Sequence, residues 1–210
     1  LNLKKACYLV AEPGTGKSAL VQGLNKRDLY TAEGAVLNII AFPNASLINE
    51  MKVKITFSTP PPFRTSQKER VKKLLTPSEA NKSPMVSIAV THDLIKTKLR
   101  EETLMEFLRD DMGLPAVVNF IFDEAHNMFP NSSPSKWAAS FSMVRSQMKS
   151  LQTPVNILLV SATPKLEVPK IKSATATMLG VVDPSQFLQD PDSSVVSYTK
   201  EEVTSFKSSF

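Results

Sequence analysis

Two short stretches carry residues suited to chemistry on a phosphate ester. One is Phe120-Ile121-Phe122-Asp123-Glu124-Ala125-His126-Asn127, an apolar run ending in two adjacent carboxylates. Side by side the two charges repel, and a divalent cation would offset that repulsion. The other is Ala11-Glu12-Pro13-Gly14-Thr15-Gly16-Lys17-Ser18-Ala19. It fits the phosphate-loop pattern G-x-x-x-x-G-K-[ST], except that Ala11 stands at the first glycine. Gly14 and Gly16 let a backbone curl so that its N–H groups point inward at a phosphate, and a following helix adds its positive end. Lys17 would reach the β and γ phosphates of a nucleotide, and Ser18 would give its hydroxyl to Mg²⁺. Pro13, Gly14, Thr15, Gly16, Lys17, Ser18 and Ala19 are thus the candidate nucleotide-binding residues, with ATP and Mg²⁺ as the implied ligands. Beside such a loop, Asp123 is expected to hold Mg²⁺ with Ser18, partly through water, and Glu124 to polarise the attacking water. Taken alone, the first stretch would equally suit a solvated acidic strand end; the second reads as a phosphate loop far more readily than as a plain Gly/Pro turn, because strand, loop and helix all sit where phosphate binding needs them.

Positioning these groups requires buried strands that end at one edge of a sheet. Apolar runs predict strands over 6–11, 35–42, 53–57, 85–90, 117–122 and 155–160. Helical periodicity fits 17–26, 45–51, 65–75, 93–110 and 135–150. The alternation predicts an α/β fold, a mostly parallel sheet with helices on both faces and ligands at the carboxyl ends of the strands. Pro60-Pro61-Pro62 marks a stiff surface loop. Arg64, Lys68, Arg70, Lys72 and Lys73 follow it, set against the single acid Glu69. They suit either a solvated helix face or a nucleic-acid backbone. Trp137 and Phe141, four apart, are expected to face the core. His92 is a candidate phosphate contact or an ordinary loop histidine.

Bulk composition narrows the classes. The chain has 210 residues, 42% hydrophobic and 21% charged, as in a globular protein with a core. No run approaches the roughly 20 apolar residues that a membrane span needs, and no signal peptide is visible. The single cysteine, Cys7, excludes an internal disulfide and fits a reducing, intracellular setting. Net charge +5 and pI ≈ 9.3 are compatible with a polyanionic partner. The first residue is Leu1, so the sequence is expected to be a segment of a longer protein or a processed product.

GTGKS at 14–18, DEAH at 123–126 and an apolar strand ending in Ser161-Ala162-Thr163 lie in the order of motifs I, II and III of superfamily 2 helicases and translocases, which the sequence resembles. Weaker likenesses are the segment 38–51 to motif Ia and Val86–Ile95 to the strand-then-threonine element that touches the nucleic-acid backbone. The resemblance implies a RecA-like P-loop NTPase lobe over 1–165, with 166–210 as the end of the lobe and an interlobe linker or tail. It implies DNA or RNA as partner, no membrane, and His126, Ser161, Ala162 and Thr163 coupling nucleotide to nucleic acid. Pro43, Asn44 and Thr91 become candidate nucleic-acid contacts. A second RecA-like lobe with arginines for the γ-phosphate is implied but does not fit after Thr163, where no arginine occurs. The sequence therefore reads as the first lobe of an ATP-dependent helicase. Alternatives are a RecA-like motor without helicase activity, such as a DNA-packaging ATPase, and a non-catalytic nucleotide-binding module. No adenine-reading element is visible before the loop, and one cysteine cannot supply the iron–sulfur cluster of the helicase group with a similar DEAHN sequence.

Overall fold

The computed structural model describes residues 6–11, 13–14, 16–23, 33–128, 135–162 and 193–198. Backbone alone is described for 6–11, 128, 135–139 and 193–198. Six strands, β1 (Ala6–Ala11), β2 (Val36–Phe42), β3 (Met85–Thr91), β4 (Val117–Phe122), β5 (Val155–Ser161) and β6 (Ser193–Tyr198), form one sheet in the order β3-β2-β4-β5-β1-β6. Every pairing is parallel. Parallel strands buried on both faces read as unbroken apolar runs, which is why the strands of the chemistry-bearing stretches fall where the sequence predicts.

Period-two alternation sorts the strand side chains into two cores. Leu37, Ile39, Val118, Phe120, Phe122, Ile157 and Leu159 face α3 (Lys68–Leu75), α4 (His92–Arg100) and α6 (Ser135–Ser150). Ile40, Phe42, Ile121, Leu158 and Val160 face α1 (Lys17–Gly23) and α2 (Ala45–Met51). Helices thus cover both faces, as expected. Phe141 of α6 is fully buried, edge-on to Phe120 with centroids 5.0 Å apart, so its core-facing expectation holds; the Trp137 side chain lies outside the described residues. Among the described residues no helix is long and apolar enough to cross a membrane.

Two expectations need correction. Residues 53–57 form no strand. Lys54 and Ile55 N–H groups both donate to the Met51 carbonyl, continuing the turn that ends α2. Val53 is 85% exposed while Ile55 is buried, so the run's alternation reflects one anchored residue without a pairing partner. The expected 93–110 helix breaks after Arg100: Glu102 takes φ 58, and Thr103 N–H closes onto the Lys98 carbonyl. A short α5 (Leu104–Glu106) then continues as a π-helical turn, Phe107–Asp111. Separately, β6 lies within 166–210, the segment expected to hold the end of the lobe and an interlobe linker or tail, and pairs with β1. Its sequence, with Val195, Val196 and Tyr198 among three serines, is too short and polar a run to predict a strand by itself.

The proline-rich segment guards the sheet's outer edge. Ser58 N–H donates to Ser87 O and Phe63 N–H to Ala89 O, each at 2.8 Å. The segment thereby pairs with backbone groups of β3 that an edge strand would otherwise expose. In the basic stretch, Lys68 pairs with Asp111 and Lys72 Nζ donates to the Asp110 carbonyl, which ties α3 to the π-helical turn. Arg64, Arg70 and Lys73 are exposed.

Candidate nucleotide site

The phosphate-loop residues and the acids meet at the carboxyl ends of β1, β4 and β5. Gly14 and Gly16 adopt φ +81° and +93°, a region open to glycine but strained for residues with a Cβ. That is the physical reason for glycine at both positions. Leu20 N–H donates to Gly16 O at 3.0 Å, so α1 starts directly from the loop. Pro13, Gly14, Gly16, Lys17, Ser18 and Ala19 line a cavity of about 520 Å³ together with Glu124 and Ala162. Gln22 and Lys54 line it too, and sequence reasoning missed both. Gln22 lies one helical turn after Ser18, so periodicity held a signal for it; Lys54, in the turn after α2, has none in its local sequence. Thr15 and Thr163 lie outside the described residues.

Charge crowds at this edge. Burial, and then the neighbouring Glu124, push the Asp123 carboxyl up from its ordinary 3.8 to about 6. Burial draws the Lys17 ammonium below its usual value, while Glu124 and Asp123 pull it back up. Glu124 has φ +47°, a strained conformation costing about 1–3 kcal/mol that tends to persist at functional sites. Asn127 N–H donates to its carbonyl at 2.9 Å and closes the turn. His126 Nδ1 lies 3.0 Å from Ser161 Oγ and 3.3 Å from Glu124 Oε2. The carboxylate only accepts, so the tautomer with the proton on Nδ1 fits both neighbours. One imidazole thus links Glu124, just past the end of β4, to Ser161, fully buried at the end of β5.

The candidate nucleic-acid contacts lie at the same end of the sheet, on β2 and β3, where Phe42 and Thr91 are in register. Asn44 caps α2, its Oδ1 accepting from Leu47 N–H at 3.0 Å, and Thr91 caps α4, its Oγ1 accepting from Leu94 N–H at 3.2 Å. Both oxygens therefore have local helix-capping roles, and Pro43 is half-buried beside them. His92 cannot contact an external phosphate through its ring: the residue is 2% exposed. Its Nε2–H donates to the Ala41 carbonyl at 3.2 Å. Burial, and then Lys96, push the ring down to about 4, so it is neutral at pH 7.

The chain is similar to the helicase domain of Pyrococcus furiosus Hef, with 17% identity and TM-score 0.54 over 98% of this chain and 38% of that one. That likeness shows the fold, a RecA-like α/β lobe. The chain is also matched to the genome packaging NTPase B204 of Sulfolobus turreted icosahedral virus 2 in complex with ATP-gammaS (12% identity, TM-score 0.45, 83% of this chain and 72% of that one). A further match is the DUF1998 helicase MrfA bound to DNA (12% identity, TM-score 0.47, 93% and 25%). No curated protein matches the sequence. The family model for the DEAD/DEAH box helicase matches residues 1–171, a span that includes the phosphate loop, the paired acids and Ser161. The chain belongs to the DEAD/DEAH box helicase family.

Proposed function

We propose that this chain is the N-terminal ATP-binding lobe, 1–165, of a DEAH-type nucleic-acid helicase or translocase that couples ATP hydrolysis to movement on DNA or RNA. The observation that carries the reading is one cavity lined by Gly14, Gly16, Lys17 and Ser18 together with Glu124 and Ala162. Backbone N–H groups of Gly14, Thr15 and Gly16, flanked by Pro13 and Ala19, cradle the phosphates, and the Lys17 ammonium binds the β and γ groups. Glu124 accepts the proton of the water that attacks the γ-phosphorus, and ADP leaves with the bridging oxygen.

The residues present fit Mg²⁺. Ser18 supplies a hydroxyl and Asp123 a carboxylate, a hard-oxygen set to be completed by water and the nucleotide's phosphates. Among the described residues no group of three or more His, Cys, Asp and Glu is arranged to hold a metal. When bound, Mg²⁺ supplies charge neutralisation at the γ-phosphate.

His126, Ser161, Ala162 and Thr163 form the coupling element. Its proposed basis is the imidazole that bridges the water-activating acid and the strand leading to Thr163. Pro43, Asn44 and Thr91 face the nucleic acid, and a second RecA-like lobe closes over the nucleotide in an intracellular protein. The test is to titrate a fluorescent ATP analogue with Mg²⁺ into the chain, with and without single-stranded DNA or RNA. The reading expects saturable nucleotide binding and mutual tightening of nucleotide and strand, as linkage requires. A chain that binds neither would sink it.

A further inference from the structure

We propose that His92 is a positioning residue for Asp123, fixing the backbone from which the metal-directed carboxylate projects. The inference rests on the assignment of Asp123 above. The Ala41 carbonyl, near the end of β2, accepts twice: from Asp123 N–H at 2.9 Å and from His92 Nε2–H at 3.2 Å. A carbonyl has two lone pairs, and both are used. The imidazole also lies against the ring of Phe122, centroid to centroid 6.1 Å. Phe122 is the residue immediately before Asp123. His92 itself follows Thr91, the last residue of β3. One side chain therefore gathers the carboxyl ends of β2, β3 and β4 directly beneath the acid.

The choice of histidine at this position points the same way. His92 is 2% exposed, and its Nδ1 has no partner at hydrogen-bond geometry, although the Asp123 backbone lies close to the ring. Burying an unpaired polar nitrogen is unfavourable where an aliphatic side chain would fill the space without loss. Packing alone does not call for imidazole here. A donor at the Ala41 carbonyl does, because that carbonyl also sets the height and direction of the Asp123 backbone. The ring is neutral, so it fixes Asp123 without placing a competing cation beside it. Of the charged groups around the ring, Lys96 and Asp93 come from its own helix, while the strands present backbone of Ala41 and Asp123.

The experiment compares the chain with its His92→Leu and His92→Gln variants. Leucine removes the donor and keeps much of the bulk; glutamine restores an N–H near the Nε2 position. The readout is the Mg²⁺ concentration that half-saturates binding of a fluorescent ATP analogue, with metal-free analogue binding and the urea midpoint measured alongside. Loss of one hydrogen bond at the positioning carbonyl is expected to raise the half-saturating Mg²⁺ about fivefold in His92→Leu. Metal-free binding should be unchanged, and His92→Gln should return to within about twofold of the parent. If His92→Leu does not fold, His92→Met, also without a donor, replaces it. An unchanged Mg²⁺ requirement in a folded donor-less variant overturns the inference, even with a lowered urea midpoint. So does a glutamine variant as impaired as the leucine one. A parent chain whose analogue affinity equals that of Lys17→Ala would instead fail the nucleotide-site reading, and with it the role given to Asp123.

Discussion

At the scale of single residues, the site places two acids of unlike environment beside one lysine. Lys17→Ala removes the ammonium proposed to bind phosphate; charge-assisted bonds of this kind are worth about 1.5–3 kcal/mol. Affinity for an ATP analogue should fall by roughly tenfold or more, with the far-UV circular dichroism of the parent retained. Equal affinity would remove Lys17 from the site. Glu124→Gln keeps the side chain's shape but not its basicity, so the full helicase should keep ATP bound while turnover is abolished; Asp123→Ala should lose the Mg²⁺-dependent part of binding. Parental turnover in Glu124→Gln would refute the water-activating role. These residues were legible because phosphate chemistry dictates types at fixed spacing. The left-handed backbone at Glu124 and the burial of His92 were not, since both depend on where β2 and β4 end relative to each other. Burial shifts Asp123 and His92 in ways that predict opposing pH effects on stability. Asp123 has a raised carboxyl, so its contribution is fully present below about pH 4 and lost as pH rises through about 6. The depressed His92 ring contributes above its ordinary 6.5, and that is lost as pH falls through about 4. Between about pH 4 and 6 the two slopes oppose each other. Asp123→Asn should therefore make the urea midpoint rise with pH across this window more steeply than in the parent, and His92→Gln should make it rise less or fall. Parallel pH profiles for all three proteins would show that neither group titrates as described.

At the scale of elements, register decides what sequence alone leaves open. Asn38, Asn119 and Asn156 interrupt three apolar strands, and nothing local says that they align. Parallel pairing puts Asn38 opposite Ser87 and Asn119, and Asn119 opposite Asn156. The result is a buried row in which Asn156 Nδ2 donates to Asn119 Oδ1, Asn119 Nδ2 to Asn38 Oδ1 and Asn38 Nδ2 to Ser87 Oγ. A one-residue slip would send each asparagine to the opposite face and break the row, so it acts as a register lock on the strands that carry Asp123 and Ser161. Asn119→Ala leaves the Asn38 oxygen and the Asn156 amide facing a gap. It should cost about 2–5 kcal/mol in urea unfolding, since each stranded buried group costs about 1–3 kcal/mol. A loss below about 1 kcal/mol would mean that the row is replaceable by packing. Strand positions were legible for the opposite reason: runs such as Val117–Phe122 are apolar on both faces, and only a doubly covered sheet buries them. The false strand at 53–57 and the missed β6 show the limit. A strand is defined by its neighbour, and neither segment's neighbour is encoded in its own composition.

At the scale of the whole molecule, the chain spans 38% of the Hef helicase domain that it resembles in fold, and the cations lining its nucleotide cavity are Lys17 and Lys54. None of the described arginines, Arg64, Arg70, Arg100, Arg109 and Arg145, lines that cavity. Hydrolysis builds charge on the transferring phosphoryl group, and an arginine brought in from a facing surface contributes about 10³–10⁵ in rate in related phosphoryl-transfer enzymes. The chain alone should therefore bind Mg²⁺–ATP yet turn it over very slowly. Unwinding asks for more: two lobes that open and close around nucleotide, so that the grip on a strand alternates. A single lobe can grip a strand but has nothing to move against. Weak single-strand binding through the surface near Pro43, Asn44 and Thr91 should persist and fall steeply with added salt, because phosphate contacts release counterions. The measurement is steady-state ATPase activity with and without single-stranded nucleic acid, beside a duplex strand-displacement assay, on the 210-residue chain and on a protein that joins it to a second lobe. The two-lobe protein should show strand-stimulated turnover and displacement, and the chain alone neither. Robust stimulated turnover with displacement by the chain alone would mean that all the groups a motor needs lie within these residues, and the reading of a lobe dependent on its partner would be wrong.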